Sequence, residues 1–176
     1  MNVFFVDEDP KVAAQCLVDQ HVNKMLSETA QILSNCYSLE RLAEDDCPRT
    51  QKDTPRKHSY PHHPCCKWVQ ESFDNWWWVV KHGFSLEQER LYRGFNPGFA
   101  FRFIEWCSKN VPKFSKVDMT KPAQAFGVEW EYLRGDDPVE AYRRYYNVAK
   151  RQQPTLKKVW TRRGAPNWWY NNEKMA

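Results

Sequence analysis

Asp19-Gln20-His21-Val22-Asn23-Lys24-Met25-Leu26-Ser27-Glu28 is the stretch whose reading decides the fold. Wound at about 100° per residue, it and its continuation separate into two arcs. Val22, Met25, Thr29, Ile32, Leu33 and Cys36 fall on one arc and read as core. His21, Lys24, Glu28, Gln31 and Asn35 fall on a second arc beside it. An acid, an imidazole, an ammonium and two amides along one edge of a buried helix place a pocket at that edge. The plainer reading of Lys24 and Glu28 alone is an i,i+4 surface pair worth a few tenths of a kcal/mol. His21 one further turn back on the same edge turns the balance towards chemistry, with Glu28 as the leading catalytic candidate.

Upstream, residues 2–6 form a short apolar arm, extended and packed on the domain. Asp9-Pro10 has the form of an N-cap followed by proline at the first helical position, so a helix is predicted over about 10–17. The striped helix then covers about 18–40. Residues 44–62, polar and rich in proline, form a long loop, and long loops in compact domains are often functional. Pro64 begins a helix carrying Trp68, Val69, Phe73, Trp76, Trp77 and Val80, with Gly83 as its expected break and Leu86–Tyr92 as a further helical stretch. Asn96-Pro97 opens another, which closes before Val111-Pro112. A turn is expected at Pro122–Phe126. Asp137-Pro138-Val139-Glu140 is a firm helix start, and that helix runs to about Arg151. Residues 154–176 read as an irregular basic and aromatic tail. No segment alternates over several strands and no repeat is visible. The expected class is all-α: a single compact multi-helix domain over 1–176, with a short N-terminal arm.

No run approaches 18 uncharged apolar residues, so no membrane span is predicted. The N-terminus reaches Asp7, Glu8 and Asp9 within a few residues and lacks the form of a secretory signal. A reducing cytoplasm is the expected setting. The six cysteines therefore read as thiols, with Cys16, Cys36 and Cys107 in the core. His58, His62, His63, Cys65 and Cys66 lack the spacing of a tetrahedral site, so no metal is expected. His63 is instead aimed into the cleft. Of Trp76, Trp77 and Trp78, two pack inward and one is partly exposed. The phosphate-binding glycine loop, the nucleophile elbow and the dinucleotide fingerprint are absent, and no cofactor is expected.

Charge is distributed unevenly. Eight of the 26 basic residues lie between 141 and 172, where no acidic residue occurs; the remainder holds 18 basic against 22 acidic residues. Tyr142, Tyr145, Tyr146, Trp160, Trp168, Trp169 and Tyr170 are interleaved with these cations. Cations neutralise phosphates and rings stack on exposed bases, so this segment is a candidate nucleic-acid face. The competing reading is a solvated basic helix with a tail tucked onto the core.

The Asp19-Gln20-His21…Glu28 run resembles the phage endonuclease V family, the pyrimidine-dimer DNA glycosylase/AP lyases of T-even phages. In that family a short arm precedes a helix carrying Asp-Gln-His, and the catalytic glutamate stands seven residues after the histidine, where Glu28 stands here. Pro166-Asn167-Trp168-Trp169-Tyr170 resembles the family's aromatic tail, which lies against DNA. The chain is more similar still to small phage proteins carrying this family label. With them it shares Asp19 to Glu28, His63-Pro64 and the run from Val139 to Tyr146.

The resemblance implies an N-glycosylase with AP-lyase activity on double-stranded, damaged or modified DNA, acting as a monomer in the host cytoplasm. It implies that the N-terminal α-amine attacks C1′ to form a Schiff base, and that the glutamate assists that step and the β-elimination after it. The family's N-terminal threonine is replaced by Asn2, which places the amine on Met1, and its two arginines beside the glutamate are replaced by Ser27 and Gln31. Lys24 is the alternative amine. On this reading Met1, Lys24, His21 and Glu28 are catalytic, and Asn2, Gln31 and His63 line the pocket. Arg143, Arg144, Arg162 and Arg163 grip the backbone, while Tyr146, Trp168 and Trp169 meet DNA. Two alternatives stay open on the same scaffold: group transfer on a modified pyrimidine with Glu28 as general base, and a DNA-binding module without catalysis.

Overall fold

A computed structural model describes residues 1–170, all-α throughout; residues 171–176 of the expected tail lie outside the described residues. Eight α-helices follow in order: α1 (Pro10–Cys16), α2 (Asp19–Ser34), α3 (Leu39–Ala43), α4 (Pro64–Glu71), α5 (Phe73–Tyr92), α6 (Phe101–Lys109), α7 (Pro138–Tyr145) and α8 (Asn167–Tyr170). A 3-10 turn (Val128–Leu133) precedes α7, and a π-turn (Tyr146–Lys150) continues it. Among the described residues no helix is long and apolar enough to cross a membrane.

The helix starts follow from local chemistry. Asp9 accepts from the Lys11 amide at 2.8 Å and Asp137 from the Val139 amide at 2.8 Å, each ahead of a proline at the first helical position. The break expected at Gly83 lies at Ser72 instead. That residue ends α4 in extended conformation and caps α5 through the Asn75 amide at 3.2 Å. Gly83 sits inside an unbroken α5. A Cβ there would meet Ile104 Cγ2 at 2.8 Å and Thr29 Cγ2 at 3.1 Å, so the glycine lets α5, α6 and α2 approach closely. The turn expected at Pro122–Phe126 is also displaced, to the 3-10 segment beginning at Val128.

Helix α2 lies at the centre, against α5, α6 and α4. Leu26 and Ala30 are buried along with the predicted core stripe, so α2 is covered on a wider arc than the sequence implied. The N-terminus of α2 is fixed by a buried ionic cluster. Arg93 bonds Glu89 at 2.7 Å, Asp19 at 2.8 Å and the carbonyl oxygens of Leu17 and Gln15 at 2.9 and 3.0 Å. Removing one member of such a cluster typically costs about 3–5 kcal/mol, because a buried charge is left unpaired.

The arm is not simply extended. Val3, Phe4, Phe5 and Val6 are all buried, and Phe4 adopts φ +45°. A non-glycine residue there stores about 1–3 kcal/mol of strain, which persists only where the surroundings over-determine it. Here the Asn2 side chain accepts the amides of Val3 (2.8 Å) and Phe4 (3.1 Å) and donates to Ala125 O at 2.9 Å. The Asn2 side chain is thus a staple for the arm.

Candidate active site

The stapled arm delivers the chain start to Glu28. The Asn2 amide donates to Glu28 Oε2 at 2.9 Å, and the Met1 α-amine stands 3.8 Å from the same oxygen. Lys24 Nζ lies 3.2 Å from Oε1, one turn back on α2. The Glu28 side chain is only 12% exposed, whereas Lys24 is 68% exposed, so solvent reaches the group from the lysine side. The carboxylate is therefore neither an isolated surface charge nor a sealed internal pair. The Met1 side chain is nearly buried, its Sδ 3.3 Å from Cys66 Sγ.

His63 flanks this cluster, half-buried, where its Nδ1 accepts the Cys65 amide at 3.2 Å and caps α4. Burial is the largest influence lowering its pKa; the N-terminal charge adds to this and Glu28 opposes it.

His21 shares the Glu28 edge but lies two turns away, about 10 Å along the axis. Its ring stacks on Phe4 (centroids 4.7 Å apart), and its Nδ1 is 2.6 Å from the Tyr146 hydroxyl rather than near Glu28. That hydroxyl already accepts the Val18 amide at 3.1 Å, which leaves its proton free to point at the ring nitrogen. Burial, helped by Lys150 and Lys24, lowers the His21 pKa to about 3. His21, expected to be catalytic, is placed as a neutral member of an aromatic stack and does not touch Glu28.

A pH prediction follows. Burial also lowers the His82 pKa to about 4, against its hydrogen bond to Pro10 O. Both rings bind protons near pH 6.5 only when unfolded, so the unfolded state holds more protons below that value. Their contribution to stability is complete above pH 6.5 and is lost as pH falls towards about 4 for His82 and about 3 for His21. Each titrating ring should remove about 1 kcal/mol per pH unit. Thermal melts between about pH 7 and 5 should show Tm falling with acid. A flat Tm across that range would contradict the assignment.

The carboxy-terminal residues expected to meet DNA are placed otherwise. Tyr146 is fully buried and Trp169 nearly so, packed on Tyr146 and on Trp160 with centroids 5.9 and 5.2 Å apart. Half-buried Trp168 meets Tyr146 edge-on at 5.9 Å. Arg143 bonds Val6 O at 2.9 Å and Asp7 at 3.0 Å, bracing the arm. Arg163 makes a two-pronged bond to Glu89 at 2.5 and 2.8 Å. Half-buried Arg144 donates to Leu133 O at 3.3 Å, and exposed Arg162 to Tyr92 O at 2.8 Å. Tyr146 and Trp169 pack into the core, and each of these four arginines bonds a protein oxygen.

Lys150, at the end of the π-turn, was not singled out by sequence reasoning. It is half-buried, with its Nζ 5.8 Å from the Phe4 ring and 5.2 Å from the Tyr145 ring. Burial lowers its pKa, Lys24 lowers it further, and Glu28 pulls the other way. It faces the same cluster. The only sequence signal was its place in the basic segment, because a π-turn has no readable spacing. Gln31 is exposed and lines a neighbouring groove along α2 with Ser27 and Ser34.

A family model described as pyrimidine dimer DNA glycosylase matches residues 1–102, the stretch containing the arm, Lys24, Glu28 and His63. No curated protein and no solved structure matches the chain.

Proposed function

The chain belongs to the pyrimidine dimer DNA glycosylase family, with DNA as substrate and glycosylase-type chemistry as function; from that premise we propose that it excises a damaged base and then cleaves the strand through a Schiff base on its α-amine. The observation that carries this reading is the meeting of the α-amine and the buried Glu28 carboxylate at 3.8 Å. The amine lone pair attacks C1′ of the damaged nucleotide, the glycosidic bond breaks, and the base leaves with a proton. The ring oxygen then takes a proton as the sugar opens to the imine. Loss of a C2′ proton expels the 3′ phosphate by β-elimination, and water hydrolyses the imine to free the enzyme. Glu28 accepts the proton that the attacking nitrogen loses, faces the cationic imine and moves protons in the elimination.

Either processing state suits this chemistry. With Met1 retained, its nitrogen is 3.8 Å from Glu28; with Met1 removed, the Asn2 nitrogen at 2.9 Å becomes the amine. Lys24 is the competing nucleophile, at 3.2 Å from the same carboxylate. Placement favours the α-amine, which the buried arm holds beside the carboxylate, whereas Lys24 is 68% exposed.

Borohydride reduction during incubation with ultraviolet-irradiated or abasic duplex tests the proposal. The expected result is a stable covalent protein–DNA species. Strand cleavage without trapping would instead support Glu28 acting as a general base with no amine intermediate. Binding without either would support the non-catalytic reading.

A further inference from the structure

Beside the Glu28 cluster runs a groove of about 790 Å³. Its floor is the next strip of α2: Asn23, Ser27, Gln31 and Ser34. Ser27 and Gln31 lie roughly 60–100° around the helix from Glu28, so floor and catalytic edge are continuous. One wall is the 50–59 part of the long loop, carrying Lys52, Arg56 and Lys57; the other holds Arg90 and Phe99. Among the described residues no acidic one lines it. Lys52 and Lys57 are exposed, and among the described residues neither they nor Arg56 pairs with a carboxylate.

The walls are held in place from behind. Ser34 Oγ donates to Lys57 O at 3.0 Å, and Asn35 Nδ2 to Ser59 O at 3.1 Å, pinning the loop to α2. The Arg56 guanidinium sits 4.2 Å from the Phe103 ring centre and donates to Pro48 O at 3.0 Å. Arg90 is fixed by Asn23 and by Asn96 O.

We propose that this groove holds the phosphodiester backbone flanking the damaged nucleotide, with Lys52, Arg56 and Lys57 neutralising its phosphates and the Ser27 hydroxyl and Gln31 amide on its floor bonding it. The proposal rests on the reading of Glu28 as the catalytic centre. Charge identifies the occupant: Lys52, Arg56 and Lys57, without a carboxylate partner among the described residues, fit a polyanion. Burial lowers the Arg56 pKa, a strain that a bound phosphate relieves. An extruded base fits less well, because it stacks between rings, and among the described residues the groove offers the one ring of Phe99.

The test is binding of a duplex carrying a tetrahydrofuran abasic analogue, which cannot open to an imine, by fluorescence anisotropy between about 50 and 200 mM salt, for wild type and Lys52→Ala/Lys57→Ala. Loss of two phosphate contacts should reduce the slope of log K against log salt by about 1.8. The difference between the two proteins should vanish when the duplex is shortened to about two nucleotides on one side of the lesion, and persist when the other side is shortened. An unchanged slope overturns the proposal. So does a difference that survives both truncations, which would put the lysines on the lesion itself. Wild-type protein that is not trapped by borohydride on the same duplex with a true abasic site removes the catalytic reading; trapping with an unchanged slope removes only the groove.

Discussion

Glu28→Gln is expected to lower the rate of strand cleavage at a pyrimidine dimer by about 100- to 10,000-fold, the range of a positioned acid/base group. The substitution is nearly isosteric. The glutamine carbonyl can still accept the Asn2 amide that Glu28 accepts at 2.9 Å, so the arm should stay in place. What is lost is the negative charge facing the α-amine and Lys24, together with the ability to take a proton. The fall should therefore appear in single-turnover rates, with duplex affinity and Tm little changed. Glu28→Gln protein that cleaves at the wild-type rate would show that the carboxylate only holds the arm.

Blocking the α-amine should have an effect as large. Acetylation removes the lone pair needed for attack while keeping the backbone. Extending the chain by two residues moves the amine away from Glu28, which it now meets at 3.8 Å. Both treatments should abolish borohydride trapping on abasic DNA. Acetylation is the cleaner test, because Glu28 still pairs with Lys24 and the Asn2 staple to Ala125 is untouched. Full trapping by chain shown by mass to be acetylated would move the nucleophile to a lysine.

The physical basis of what was legible is specific. The α2 stripe could be read because helical periodicity puts Lys24 and Glu28 one turn apart whatever surrounds them, and they meet at 3.2 Å. The caps at Asp9 and Asp137 are local chemistry and lie where the sequence places them. The role of Asn2 was not readable. It depends on a carbonyl at Ala125, 123 residues away, and on a left-handed Phe4 that no propensity favours. The direction of the aromatic tail was not readable for a related reason. Composition gives the number of rings and cations but not their direction, and Arg143, Arg163 and Trp169 turn inward to Asp7, Glu89 and Trp160. Gly83 misled because a glycine in a helix can mark a close crossing as readily as an end. Lys150 went unnoticed because only the π-turn brings it over Phe4 and Tyr145.

The most direct measurement of the central claim is peptide mapping of the borohydride-trapped species by mass spectrometry. The sugar remnant should sit on the α-nitrogen of the N-terminal peptide, on Met1 or, if Met1 has been removed, on Asn2. A remnant on the peptide carrying Lys24, or on any other lysine, would contradict the α-amine as the nucleophile beside Glu28.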